Sequence, residues 1–173
     1  MSVGSSDCVR SLMLASLLVV CAGAEASGQT HCSAEEATVF SCHTANGKLL
    51  SVCGSRALSA GTGYVQYRFG KAGSPELLIP ERTSTRAAGE IGAGTMSYSG
   101  GGGAFLRFRR GTHAYVVYTA IGRGWGSRAG VVVERQGRAV AEVRCAGEAV
   151  SEIGPDLFTR AGLPDDADGF ELP

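Results

Sequence analysis

From Val39 to Cys145 the chain breaks into short segments of alternating or β-branched residues, punctuated by glycine, proline and asparagine. The links between them are too short for crossover helices. This is the tightest constraint on the fold: parallel neighbours need a connection of about a dozen residues or more, so strands this close in sequence run antiparallel. Val39 to Ala45 and Lys48 to Cys53 flank Asn46-Gly47, a hairpin signal because both turn residues accept positive φ. Val65 to Phe69 alternates cleanly, and Glu76 to Ile79 is bounded by Pro75 and Pro80. Residues 82–103 give weak signals, with one short strand expected at Thr95 to Ser99. Ala104 to Arg109, Ala114 to Ile121, Gly130 to Arg135 and Arg138 to Cys145 follow, the last two joined as a hairpin by Gln136-Gly137. The expected fold is all-β, an antiparallel barrel or sandwich of about eight or nine short strands. Pro155 to Ala161 then reads as one or two helical turns with Pro155 at the first position, followed by a tail.

Glycine, 26 of 173 residues, has no three-residue period, and proline numbers only 5, so collagen is excluded. A 44% hydrophobic content with 16 basic and 16 acidic residues excludes a disordered polyelectrolyte. There is no internal repeat. The chain divides into a leader at 1–26, a β domain at 27–154 and an acidic C-terminal segment at 155–173.

The leader is read from Arg10, the apolar run Ser11 to Ala22 and the small residues ending in Ala24-Glu25-Ala26, the layout of a secretory signal peptide. The run falls short of the roughly 20 apolar residues of a membrane-spanning helix, so none is expected in the mature chain. Cys21 after Leu18-Val19-Val20 is a weaker lipidation signal, because a lipobox wants a small residue where Val20 stands. A periplasmic or secreted location follows. Cleavage would leave Cys32, Cys42, Cys53 and Cys145, which read as two disulfides with three connectivities open. The hairpin favours Cys42–Cys53: an Asn46-Gly47 loop sets the two diagonal, at the limit of disulfide reach, and a Gly47-Lys48 loop sets them opposite. In either register Phe40, Cys42 and Thr44 share a face with Leu49, Ser51 and Cys53. No close cysteine pair suggests zinc, although His31 and His43 adjoin Cys32 and Cys42. No metal or cofactor is expected.

The neutral total hides an asymmetry. Residues 48–144 hold 14 basic and 5 acidic residues, a balance of +9, and residues 146–173 hold 1 and 7, a balance of −6. Arg107, Arg109, Arg123 and Arg128 fall on the later strands and turns, where alternation points many arginines outward. A cationic face of this kind suits an anionic envelope component or a protein partner; no nucleic acid is expected. Gly122-Arg123-Gly124-Trp125-Gly126-Ser127-Arg128 combines backbone freedom with the two residue types richest in interface energy. Arg123, Trp125, Arg128, Arg107 and Arg109 are therefore the candidate binding residues. Trp125 can alternatively fold back as a cap. The opposite charges of the two halves further predict that Pro155 to Pro173 docks near the arginine-rich strands, burying Leu157, Phe158, Leu163 and Phe170 and partly masking those strands.

Catalytic motifs are absent from the sequence. His43 or His113 could act as a base with Ser41, Ser97 or Ser127, and Glu76, Glu81 or Glu90 could supply carboxylates, but no spacing requires such an arrangement. The expected role is an interaction module, with a hydrolase lacking a recognisable motif as an alternative.

Phe40-Ser41-Cys42, Gly47-Lys48, Cys53-Gly54, Tyr67-Arg68-Phe69-Gly70 and Pro75-Glu76-Leu77 together resemble a group of small exported bacterial proteins of uncharacterised function, over roughly residues 32–80. That resemblance implies export and disulfides and carries no catalytic residue. Ser97-Tyr98-Ser99-Gly100 and Arg110-Gly111 are similar to the serine-tyrosine-glycine loop and basic-glycine turn of periplasmic inhibitors of animal-type lysozyme, a resemblance that implies inhibition of such a lysozyme as a second alternative role. The lysine of that family's second turn and its tryptophan between Ala104 and Arg109 are missing here, and two more strands follow.

Overall fold

A computed structural model describes residues 29–84 and 91–173. The leader at 1–26, with Cys8 and Cys21, lies outside the described residues, as does Glu90. The elements are β1 (Glu36–His43), β2 (Leu49–Ser55), β3 (Val65–Lys71), β4 (Ser74–Ile79), β5 (Gly92–Tyr98), β6 (Gly101–Arg110), β7 (His113–Gly122), β8 (Gly126–Arg135), β9 (Arg138–Arg144), β10 (Val150–Ser151) and the helix α1 (Pro155–Ala161). They form two antiparallel five-stranded sheets, ordered β10-β1-β2-β3-β4 and β5-β6-β7-β8-β9. The architecture is a sandwich, and no closed barrel forms among the described residues.

Alternation builds the core between the sheets. Phe40, Leu50, Val52, Tyr67 and Ile79 of the first sheet meet Ala93, Leu106, Phe108, Val117 and Val131 of the second. Each large side chain buried there contributes about 1.5–3 kcal/mol relative to exposure. Helix α1 closes one end, adding Leu157 and Ala161, and Leu163 follows them into the same cluster. Pro155 opens the helix and Gly162, at φ 61°, ends it in the left-handed conformation. Gln136 and Gly137, at φ 52° and 73°, make the two-residue β8–β9 turn expected from their sequence.

The first hairpin departs from expectation. Asn46-Gly47 does turn the chain, but His43 pairs with Leu49, and the Thr44 amide donates to the Lys48 carbonyl at 2.8 Å, so the loop is longer than two residues. Thr44 Oγ1 caps it by donating to Asn46 Oδ1 at 2.7 Å. Cys42 consequently faces Leu50, and Phe40 faces Val52. A one-residue change of register turns a whole strand face over, so Cys42 and Cys53 lie on opposite faces of the sheet and cannot pair. The disulfides are Cys32–Cys53, with Cα atoms 5.3 Å apart, and Cys42–Cys145, at 5.7 Å. The expected Cys42–Cys53 bridge is thus corrected. Cys53 looks outward to the segment that enters β1, and Cys42 looks inward to the end of β9.

That entering segment is clamped. Glu36 accepts two hydrogen bonds from Arg68, at 2.5 and 2.8 Å, one from Tyr64 at 2.5 Å and one from the Ser33 amide at 2.7 Å. Arg68 also donates to the His31 carbonyl at 2.7 Å. Burial alone would raise the Glu36 pKa, but these donors outweigh it and hold the carboxyl at about 2. Burial likewise lowers His31 below its ordinary value.

Strand content also exceeds expectation between residues 92 and 103. Seven residues from Gly92 and three more before Ala104 are strand, and β10 adds a short rung beside β1.

Candidate functional site

Pairing register lays out the outer face of the second sheet in rows. Gly94, Phe105, Tyr118, Gly130 and Arg144 share one row. Met96, Gly103, Ala120 and Arg128 form the next toward the β5–β6 turn, and Gly92, Arg107, Val116 and Val132 the next in the other direction. Met96, Phe105, Val116, Tyr118, Ala120 and Val132 make a second apolar cluster on this face, separate from the core between the sheets.

Glycine lets the large side chains lie flat. A Cβ on Gly94 would stand 2.7 Å from the Phe105 ring, and one on Gly122 would overlap the Trp125 indole. Trp125 therefore folds back from the β7–β8 turn onto the sheet, half-buried, with Tyr98 beside it at 5.9 Å between ring centroids. The Arg128 guanidinium stacks over the indole at 4.6 Å from its centroid. Trp125 and Arg128, three positions apart in the expected binding loop, are thus brought together. Arg123 sits exposed at the turn, its amide bonded to the Gly100 carbonyl at 2.9 Å. Neither Arg123 nor Arg128 has a carboxylate partner among the described residues.

Arg107 and Arg109 are placed differently. Both are on the outer face, but the C-terminal segment crosses over them. Pro164 and Asp166 bracket Ala93, accepting from its amide at 3.0 Å and donating to its carbonyl at 2.9 Å. Asp166 then receives Arg107 Nε at 3.1 Å and Arg109 Nη2 at 2.8 Å, and Asp168 takes Arg109 at 2.9 Å. Arg107 also contacts Glu134 and donates to the Gly169 carbonyl at 2.5 Å. With its side chain 3% exposed, Arg107 is taken up by its own chain and does not face an external partner. Arg107 points to the outer face as alternation predicts, but the C-terminal segment covers it there. Phe170 settles between Phe105 and Tyr118, at 5.5 and 5.8 Å. The expected docking of the acidic segment on the arginine-rich strands is therefore present, with Leu157 and Leu163 going to the inter-sheet core and Phe170 to the outer face.

What the segment leaves open is a groove of about 1090 Å³. Its lining runs from Thr95 to Tyr98, through Trp125 and Arg128, to His113, Arg109 and the residues Asp168 to Pro173. Beside it on the sheet, the Tyr118 hydroxyl donates to Glu142 at 2.9 Å; burial first and this bond second push the phenol above its ordinary value. Glu142 is held below the usual carboxylate range, chiefly by hydrogen bonds from Arg144. A smaller recess of about 340 Å³ opens on the opposite face of the same sheet, lined by Thr95, Thr119, Ile121, Ile153 and Pro155 among others.

The groups considered for catalysis are not assembled. Ser41 is buried and bonded to Ser51 and the Gln29 carbonyl, and no hydrogen bond joins Ser41, Ser97 or Ser127 to His43 or His113 among the described residues. Glu76 and Glu81 pair with Lys48 and Arg110 on the surface. The two turns that carry the likeness to lysozyme inhibitors stand at opposite ends of β6, whose ten residues put them roughly 30 Å apart.

Tyr98, which lines the groove, and Phe105 and Tyr118, which lie beneath Phe170 beside it, were not among the expected binding residues. A signal was present: Gly92, Gly94, Gly101 and Gly103 recur at period two on one face, the trace of a surface over which aromatic rings lie.

Compared with protein-family models, curated proteins and solved structures, the chain matches none.

Proposed function

We propose that this protein is an exported, disulfide-bonded binding module of the periplasm or cell envelope, and that it engages an anionic partner through the outer-face groove of its second sheet. The observation that carries this reading is the Tyr98–Trp125–Arg128 stack at one end of the groove, where an aromatic surface lies beside a cation without a carboxylate partner among the described residues. Aromatic and arginine side chains supply most of the energy at binding surfaces, and a ready-formed groove keeps the cost of ordering low. The two disulfides fit an oxidising compartment. No helix among the described residues is long and apolar enough to cross a membrane.

Retention of the purified protein on peptidoglycan, anionic-lipid vesicles and immobilised polyglutamate tests the reading. Retention on at least one surface that falls as salt rises, and weakens in Trp125→Ala and Arg128→Ala, is expected. Retention on none, or retention indifferent to both substitutions, overturns it. Stoichiometric loss of activity of an added animal lysozyme without salt-sensitive retention would replace it with the inhibitor reading.

A further inference from the structure

Resting on the groove as the binding site, we infer that the partner is an extended peptide that adds as a strand to the open edge of β5, with acidic residues alternating with apolar ones. Sheet edges expose unpaired backbone groups, and proteins blunt them with charge, proline or brevity. Three of the four edges here are blunted. β4 carries Pro75 and Glu76, β9 carries Arg138, Glu142 and Arg144, and β10 is two residues long. β5, Gly92-Ala93-Gly94-Thr95-Met96-Ser97-Tyr98, has no charge and no proline.

Part of that edge is already used for strand pairing. The amide and carbonyl of Ala93 both bond to the C-terminal segment, which pairs there in parallel through Asp165. Backbone groups repeat their direction every second residue, so the amides and carbonyls of Thr95 and Ser97 face the same open side. No described residue bonds to them there, and both residues are exposed. The segment turns away at Asp166 onto Arg107 and Arg109, stopping short of Thr95.

Recesses flank the open stretch. A strand laid beside Thr95 and Ser97 sends alternate side chains to opposite faces. Those on the outer face lie beside Met96 and Tyr98 at the mouth of the groove, three strands from Arg128, whose guanidinium, without a carboxylate partner among the described residues, draws acidic side chains through its longer-range field. Those on the inner face reach the smaller recess with Ile121, Ile153 and Pro155, which suits apolar side chains, and Ile121 is 63% exposed there. The sequence that already occupies the neighbouring stretch is itself acidic, Asp165-Asp166-Ala167-Asp168. Backbone bonds then give affinity and the two recesses give selectivity.

The probe is an acetylated, amidated hexapeptide of alternating Asp and Val, titrated into the full chain and followed by amide shifts. Binding centred on Thr95 to Tyr98 is expected, with alternating Lys and Val binding more weakly. Two N-methylated versions are compared, one blocking the amides of the Asp residues and the other those of the Val residues. One is expected to lose about tenfold or more and the other to bind as the parent does, because only one set of amides faces β5. Ser97→Pro, which removes an outward amide at an edge position that tolerates proline, is expected to weaken binding to a similar degree. Equal binding by both methylated peptides, no preference for Asp over Lys, or a dimer in light scattering that Ser97→Pro dissolves would overturn the inference. If the peptide series is flat while Trp125→Ala still abolishes retention on anionic surfaces, the groove stands as a site and strand addition falls.

Discussion

Arg107 Nε donates to Asp166 Oδ1 at 3.1 Å beneath the C-terminal segment, and the two side chains are 3% and 0% exposed. They lie 59 residues apart in sequence. The pair fastens the end of the chain to the middle of the second sheet, and it decides which arginines are left for a partner.

Removing its anion should loosen that fastening. Asp166→Asn leaves the buried Arg107 guanidinium with Glu134 as its carboxylate partner among the described residues, and weakening one charged hydrogen bond of this kind costs about 1.5–3 kcal/mol. Arg109→Ala should cost about 1 kcal/mol or less, since that side chain is 46% exposed. Urea denaturation of the two variants measures the difference. Deleting residues 165–173 should also raise binding of a hydrophobic dye, as Phe105 and Tyr118 lose Phe170. Unchanged dye binding would contradict the packing described.

Acid should destabilise the clamp on the first sheet. Glu36 has its folded pKa depressed from 4.5 to about 2, so its contribution is complete above about pH 4.5 and is lost as pH falls toward 2. His31, lowered by burial, acts in the same direction because protonation favours the unfolded chain. The Glu36 contribution is on the order of 2–3 kcal/mol. Denaturation midpoints across this range should fall steeply in the wild type and less steeply in Glu36→Gln.

Peptide mapping without reduction should recover Cys32 joined to Cys53 and Cys42 joined to Cys145. Material recovered after export should begin near Ser27 and be lighter by four hydrogens than the reduced chain, one pair for each bridge. The 103-residue separation of Cys42–Cys145 makes it the larger entropic constraint, about 4–5 kcal/mol against about 3 kcal/mol for Cys32–Cys53. Cys145→Ser with Cys42→Ser should accordingly lower stability more than the other double replacement.

Gly122→Ala places a methyl where the Trp125 ring lies, so the indole must lift from the sheet. Its fluorescence should shift to the red, with a cost of about 1–3 kcal/mol. Gly147→Ala, with open space around it, should change neither property. Equal spectra for the two variants would show that Trp125 does not rest on Gly122.

Much of the fold was local and therefore legible. Val65 to Phe69, Ala114 to Ile121 and the Gln136-Gly137 hairpin follow from alternation and from turn residues that accept positive φ, and Pro155 and Gly162 bound α1 by backbone geometry alone. Opposite charge on the two halves was enough to indicate that the acidic end meets the arginines. The glycine stretch before Ala104 was hard to read because a glycine records nothing of the ring that covers it; Gly94 becomes strand through Phe105.

Periodicity, turn chemistry and net charge act between near neighbours or at long range without needing register, and they suffice for an antiparallel β protein with disulfides and a docked acidic end. Tertiary structure alone decided which cysteines pair and which arginines remain available. A longer loop at Thr44 to Lys48 put Cys42 and Cys53 on opposite faces, and the path of Asp166 over Gly92 buried Arg107 while leaving Arg128 on Trp125. Both outcomes depend on single-residue register and on contacts between residues far apart in the chain, and the period-two pattern of a strand is the same in either register.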